Sequence, residues 1–554
     1  MPVLSSHKAH AKPPTKAEVT TLVASITQRY APLERAKETA WYQASISGKD
    51  EDFAKAEAAL NTLDGLLSDS TLFAQLKEAK TNPPKGLNAA TARQVDILYR
   101  MFLGRQVAPE LLAEINKLQS EVEQTFNSFR AVIGGKEYSQ NDLKKVLRES
   151  ADSKELQAVW EGQKAVGDKV IGPLIKLVHL RNQVAKQLGY SDYHDLALAI
   201  SDQTPEEVFG LFEELDKLTR GPFLALKAEA DMALAQKLNL PKESLRPWHY
   251  QDFFFQEPPA VFNVDYETLY KSQDPVELSR KFYAGIGLPI DDVLAASDLY
   301  EKPGKSPHAF CADLDRDQDV RVLANVVPGY DWTMTMVHEL GHAVYDKFKD
   351  RKAPFFLRGP AHMLTTEGYA MMLDRLVQNP YWAAAMVGLS AEDRDKLLPG
   401  AHKTMAFSSL VFARWCLVML HFEKALYANP DQDLNTLWWT MVEKYQGLTR
   451  PENRNAPDFA SKIHFVVAPV YYHNYMMGQI FGAQVHEVIT RKVEKLSDPF
   501  EAVYVGNTKV GEFMKKTIFE PGAKRSWREL TKTITGKPLS PDAYAAQFAR
   551  YVTQ

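Results

Sequence analysis

Cysteine is nearly missing: Cys311 and Cys416 are the only two in 554 residues. No disulfide framework supports the fold, which suits a reducing compartment without requiring one, because large cores fold without bridges. Excess charge of one sign is missing as well. Sixty-six basic and 70 acidic side chains leave a formal net charge of −4. The basic footprint of phosphate recognition is absent, so no nucleic-acid partner is expected. The N-terminal MPVLSSHKAHAKPPTK holds basic residues but no apolar run of signal-peptide length. The chain as written therefore reads as cytoplasmic, and as periplasmic or secreted if a leader has been removed. The most apolar later stretch, FSSLVFARWCLVMLHF, is interrupted by Arg414 and falls short of the ~20 residues of a membrane span. It reads as a buried core helix, and no membrane span is expected.

Repeats, low-complexity tracts and clean domain linkers are not visible either. NPPKG and QEPPAV read as loops within one architecture. Residues 1–15 are expected to form a flexible tail and 16–554 a single, mainly α domain, although chains of this length often divide. What fills the first two hundred residues is helical periodicity. AEVTTLVASITQRYAPLERAKETAWYQAS, ELLAEINKLQSEVEQTFNSFRAVI and KELQAVWEGQKAVGDKVIGPLIKLVHLRNQVAKQLGY place apolar residues every three or four positions, with charges between. The LGYSDYHDL that follows supplies a glycine stop and a Ser/Asp cap.

One stretch breaks the helical rule. HAFCADLDRDQDVRVLANVV (308–327) has a turn-prone polar centre between alternating apolar flanks, the pattern of a β-hairpin. Its aspartates Asp313, Asp315 and Asp317 resemble the start of a calcium loop. That loop needs Gly at position six and Glu at twelve, where Gln318 and Ala324 stand, so calcium is set aside.

MVHELGHAVYD (336–346) carries the chemistry. On a helix His338 and His342 project from one face, one turn apart. Two imidazoles so placed can share one zinc, and Glu339 beside them can take a proton from the attacking water. A third ligand must come from elsewhere. A metzincin would need Gly and His where Tyr345 and Phe348 stand. Asp346 continues the same straight row, which cannot wrap a tetrahedral ion, and Asp350 falls in a polar exit loop. Glu367 remains, in AHMLTTEGYAMMLDRL, which reads as a second helix after the turn-rich KDRKAPFFLRGP. His362 is a possible substitute ligand behind it.

These residues, with others around them, resemble the angiotensin-converting enzyme (peptidyl-dipeptidase A) family of zinc peptidases. HAF stands 30 residues before His338, like the family's substrate-lining His-Ala segment, and WWTMVEKYQGLTRP, DFASKIHF and YYHNYMMGQIFGAQVHEVI resemble its C-terminal site region. The likeness covers most of the chain from about residue 145 onward. It implies a large two-lobed helical fold with a deep central groove and a short hairpin beside the active-site helix. It implies one zinc ion on His338, His342 and Glu367, with Glu339 as general base and His464 and Tyr475 as donors to the developing oxyanion. His308 and Ala309 then contact the substrate, and Lys462, Tyr472 and Gln256 hold its terminal carboxylate. Partners are oligopeptides with a free C-terminus, and a monomer is expected.

Departures are visible too. Met371 stands four residues after Glu367, where the family commonly has an aspartate supporting a zinc histidine. Asn474 replaces the arginine of chloride-activated members, so weak or no chloride dependence is expected there. The tyrosine pair aligns only with one extra residue after His464, Gln256 needs a one-residue gap, and the family's disulfide cysteines are missing. The carboxylate anchor decides the product: about two extended residues from the zinc, roughly 7 Å, a dipeptide leaves, and nearer, one amino acid. The function expected is release of dipeptides from C-termini. The alternatives are a carboxypeptidase or a thimet-type oligoendopeptidase on a similar scaffold, or a non-catalytic peptide-binding protein, which would have lost a ligand or the base.

Overall fold

The structure is a computed structural model that describes residues 13–262 and 264–551. Most of the expected flexible tail therefore lies outside the described residues. The chain is mainly α, with two small two-stranded sheets.

Helix α1 (Lys16–Ser47) starts at a capping box, where Thr15 accepts from Glu18 N and the Glu18 carboxylate accepts from Thr15 N. Gly48 stops it at a φ of 64°. The second helical stretch ends earlier than its periodicity suggests. The helix over Pro109–Ser128 gives way to a hairpin of β1 (Ala131–Ile133) and β2 (Lys136–Tyr138). Gly134 and Gly135 both take positive φ between the strands, the two-residue turn that only such residues form readily. The third stretch divides at Ala165 into helices Ser153–Lys164 and Val166–Gln187.

The main core gathers buried apolar side chains from Leu118 to Phe548, while α1 and its neighbours pack a smaller cluster against Phe356. Two long helices run through the main core, α2 (Pro205–Leu238) and, later, α5 (Ala391–Ala428). Helix α5 is long and apolar enough to cross a membrane, but 83 % of its most apolar window is buried inside the protein. Its Arg414 is buried and donates to Asp216 and Thr219 of α2, which satisfies a charge that would otherwise be costly there.

The expected hairpin over 308–327 is present: β3 (Phe310–Asp313) pairs antiparallel with β4 (Val320–Leu323), Cys311 opposite Val322. Beside it run α3 (Tyr330–Lys347) and α4 (Met363–Asp374), joined by a loop and short turn through Phe355–Leu357. Helix α6 (Tyr472–Val488) closes on α4. A Cβ on Gly368 would meet Gly478 O at 2.3 Å, and one on Gly341 would meet Ala370 Cα at 3.1 Å. Glycine at these positions lets α3, α4 and α6 approach backbone to backbone. That close approach fixes where their polar side chains meet.

Candidate metal centre

Thr333, Val337, Leu340 and Val344 bury one face of α3. The opposite face turns His338 and His342 toward a partly accessible space, with 22 % and 14 % side-chain exposure. Their Nε2 atoms lie 3.2 Å apart. Two nitrogens on one tetrahedral zinc, each at about 2.0–2.1 Å, stand about 3.3 Å apart, so the pair has metal-binding spacing. Glu367 Oε2 arrives from α4, 3.7 Å from His338 Nε2 and 3.8 Å from His342 Nε2. Among the described residues this is the one group of three or more His, Cys, Asp or Glu side chains placed to hold a metal ion. The donor set, two imidazoles and a carboxylate from two helices with one side open, fits a zinc site that keeps a position free.

The outer nitrogens are also held. His338 Nδ1 lies 2.7 Å from Asp374 Oδ2 and His342 Nδ1 lies 2.7 Å from Thr366 Oγ1, which directs each Nε2 at the common point. Burial works against charge on His338, but Asp374, then Glu339 and Glu367, carry its pKa up to about 9. Burial and the neighbouring His338 push His342 down to about 3. Ligation needs both Nε2 atoms unprotonated, so a metal cation binding there competes with protons on this pair.

Glu339 sits beside this group. Burial raises its carboxyl, His338 opposes the rise, Glu367 adds to it, and the Cys311 N–H donates to it. That last contact orients the hairpin. Val322 turns its N–H to Ser297 Oγ and its C=O to Asp298 N, away from Cys311 opposite it. Cys311 therefore points its own backbone groups outward, and Ala309, two residues earlier, shares that edge. Ala309 is partly buried and His308 exposed at the entry to β3.

A second group lies on α6 and the turn before it. Lys462 Nζ donates to Gln256 Oε1 at 2.7 Å, and Tyr472 OH reaches the same oxygen at 3.4 Å. Lys462 is buried against the rings of Phe254, Trp415 and Tyr472, each centroid 5.3 Å away. Burial holds its pKa down at about 8. His464 packs on Tyr472 with ring centroids 4.9 Å apart, and Tyr472 on Tyr475 at 5.5 Å. The His464 Nδ1 is buried and has no protein partner among the described residues. Burial, then Lys462, hold that imidazole neutral with a pKa of about 4. Burial and then the charge of Glu367 raise the Tyr475 phenol.

Several expectations change. Met371 does not leave His338 unsupported: Asp374, one helical turn further on, takes the place expected four residues after Glu367. Its signal, an acid at i+7 from Glu367 on one helix face, was open to sequence reasoning and overlooked. His362 lies outside the His338–His342–Glu367 group. It caps α4, its Nδ1 accepting from Leu364 N and its Nε2 bonding Ser201 O. Asp346, already set aside because it continues the row of histidines, lies outside the group, where burial and then Asp313 raise it to about 7. Tyr471 was not singled out, yet its ring lies 5.1 Å from Tyr475, and the charge of Glu367 raises its phenol after burial does.

Comparison with known proteins identifies the family. The sequence model of the Peptidase M2 family, described as angiotensin-converting enzyme, matches residues 14–219 and 261–551. The gap between the two stretches contains Gln256. The angiotensin-converting enzyme of Mesocricetus auratus is 26 % identical over 472 residues, 78 % of this chain and 35 % of that protein. The angiotensin-converting enzyme-like protein Ace3 of Mus musculus is 24 % identical over 79 % of this chain and 63 % of its own length. The angiotensin-converting enzyme of Theromyzon tessulatum is 23 % identical over 71 % of this chain and 68 % of its own length. The chain thus spans about a third of the length of the hamster protein. A match over most of the sequence, on a mainly helical fold, means that the chain belongs to the angiotensin-converting enzyme (Peptidase M2) family.

Proposed function

We propose that the protein is a zinc-dependent peptidase that removes dipeptides from the free C-terminus of oligopeptides. The observation that carries this reading is a buried cation, Lys462, standing two adjoining tyrosine rings from the His338–His342–Glu367 group. Gln256 Oε1 shows how an oxygen fits there, accepting from both Lys462 Nζ and Tyr472 OH. A substrate carboxylate oxygen could use the same donors.

His338, His342 and Glu367 would hold the zinc ion, which when bound supplies Lewis acidity toward the scissile carbonyl and an acidified water. Glu339, raised by burial, takes the proton of the attacking water and returns it to the departing amine. Tyr475 and the neutral His464 supply donors where negative charge develops on the carbonyl oxygen. Ala309, one residue before β3 and in line with its outward edge, presents backbone groups to an extended peptide as one more strand. Lys462, Tyr472 and Gln256 hold the terminal carboxylate and so set which bond lies over Glu339.

Product masses from one oligopeptide, supplied with a free and with an amidated C-terminus, test the proposal. Successive losses of two residues from the free form alone are expected. Single-residue losses would assign a carboxypeptidase, and equal internal cleavage of both forms an oligoendopeptidase.

A further inference from the structure

The flank of α4 next to the face that carries Glu367 and Asp374 borders a cavity of about 250 Å3. Arg375 reaches into it from the end of α4. Among the described residues the one hydrogen-bond partner of its guanidinium is Gln547 Oε1, at 3.0 Å. Guanidinium offers five N–H donors in a planar fork, so most of its donors have no protein partner among the described residues, at the wall of a cavity. Burial, only partly offset by Tyr544, Asp374 and Tyr504, lowers its pKa.

The other charged groups at the cavity do not answer Arg375. Glu487 accepts from Arg491 at 3.3 Å, and Asp498 accepts from Phe500 N at 2.9 Å. Arg550 stands beside the cavity with Nη1 3.1 Å from His402 Nδ1. Burial and then Arg550 keep that imidazole neutral, at about 4. Three guanidiniums and two carboxylates line the space; Glu487 pairs with Arg491 within the lining and Asp498 accepts from a backbone N–H, so neither bonds Arg375. Met371, Met405 and Phe500 give the wall an apolar stretch, beside the polar side chains of Asn379, Gln479, His486 and Gln547.

We propose that this cavity binds a small organic carboxylate with an apolar body, its carboxylate on Arg375 and its body against Met371, Met405 and Phe500. An inorganic anion would leave the apolar stretch unmatched, and a neutral ligand would leave the guanidinium unmatched. The site is separate from the carboxylate anchor at Lys462 and does not depend on the peptidase reading.

Calorimetric titration of the full chain with benzoate tests the proposal, with benzamide and inorganic phosphate as comparators. Two variants, Arg375→Met and Lys462→Met, separate this cavity from the anchor. Benzoate should bind the wild type and Lys462→Met alike, about 10- to 100-fold more weakly to Arg375→Met, the weight of a charge-assisted hydrogen-bond pair. Benzamide and phosphate should both bind more weakly than benzoate. Should Arg375→Met melt below the assay temperature, Ala546→Phe fills the cavity from an exposed position and should abolish binding. Undiminished benzoate binding in either cavity variant overturns the proposal. So does binding lost only in Lys462→Met, no benzoate binding at all, or phosphate or benzamide binding as tightly as benzoate.

Discussion

Asp374 Oδ2 lies 2.7 Å from His338 Nδ1, a contact made between the end of α4 and the middle of α3. The helix that brings Glu367 to the metal group thus also steers one of the two histidines. Breaking this contact frees the imidazole to rotate and lowers its basicity toward a metal. Asp374→Ala should weaken zinc binding about 10- to 100-fold, the usual weight of such an outer partner. Competition with a chelator of known affinity measures it, with circular dichroism to show that the helices persist. Wild-type affinity in the variant would detach Asp374 from the site.

Glu339 stands beside the three candidate ligands without joining them. Glu339→Gln keeps the shape and removes the base. Zinc content should stay unchanged while kcat falls by about 10²- to 10⁴-fold, the range of a positioned general base. Metal analysis and a single-turnover assay on the same preparation check both halves. Turnover at the wild-type rate would take the base role from Glu339.

How much of this was legible in the sequence follows from distance along the chain. His338, Glu339 and His342 lie within one helical turn and a half, so periodicity alone places them on α3. Glu367 follows from the turn-rich loop that must reverse the chain. The hairpin of β3 and β4 was legible in its alternation, whereas β1 and β2 were hidden, since apolar spacing continues through Ala131–Ile133 and only Gly134–Gly135 marks the turn. Lys462, Tyr472 and Gln256 meet across about 200 residues. Nothing local pairs them, and only the family resemblance named them together. Asp374 lies one turn beyond Met371, the position where the family pattern expects the supporting acid, so the pattern does not point to it.

Lys462 gives a pH signature. Burial holds its pKa at about 8, below the usual lysine value. The side chain is charged below that pH and loses its charge as the pH rises through it. KM for peptides with a free C-terminus should therefore climb above pH 8, with no such step for an amidated peptide. Lys462→Met should raise KM about 10- to 100-fold at pH 7 and flatten the profile. A step that survives in the variant would point to another group.

Asn474 is buried, and its Oδ1 accepts from Gln203 Nε2 at 2.7 Å. The adjacent His473 is kept neutral by burial, at about 3. Neither residue offers a cation to a halide. Peptidase rates in chloride and in acetate, at equal ionic strength so that screening is constant, should match. A several-fold gain in chloride would contradict this.

Zinc stoichiometry of the purified chain and of Glu367→Ala reaches the account at its root. Elemental analysis after dialysis should find one zinc per wild-type chain and a small fraction of that in the variant, with peptidase activity lost to a chelator and restored by zinc. A metal-free wild type that still cleaves peptides, or a Glu367→Ala protein that keeps its zinc, would contradict the coordination of one ion by His338, His342 and Glu367.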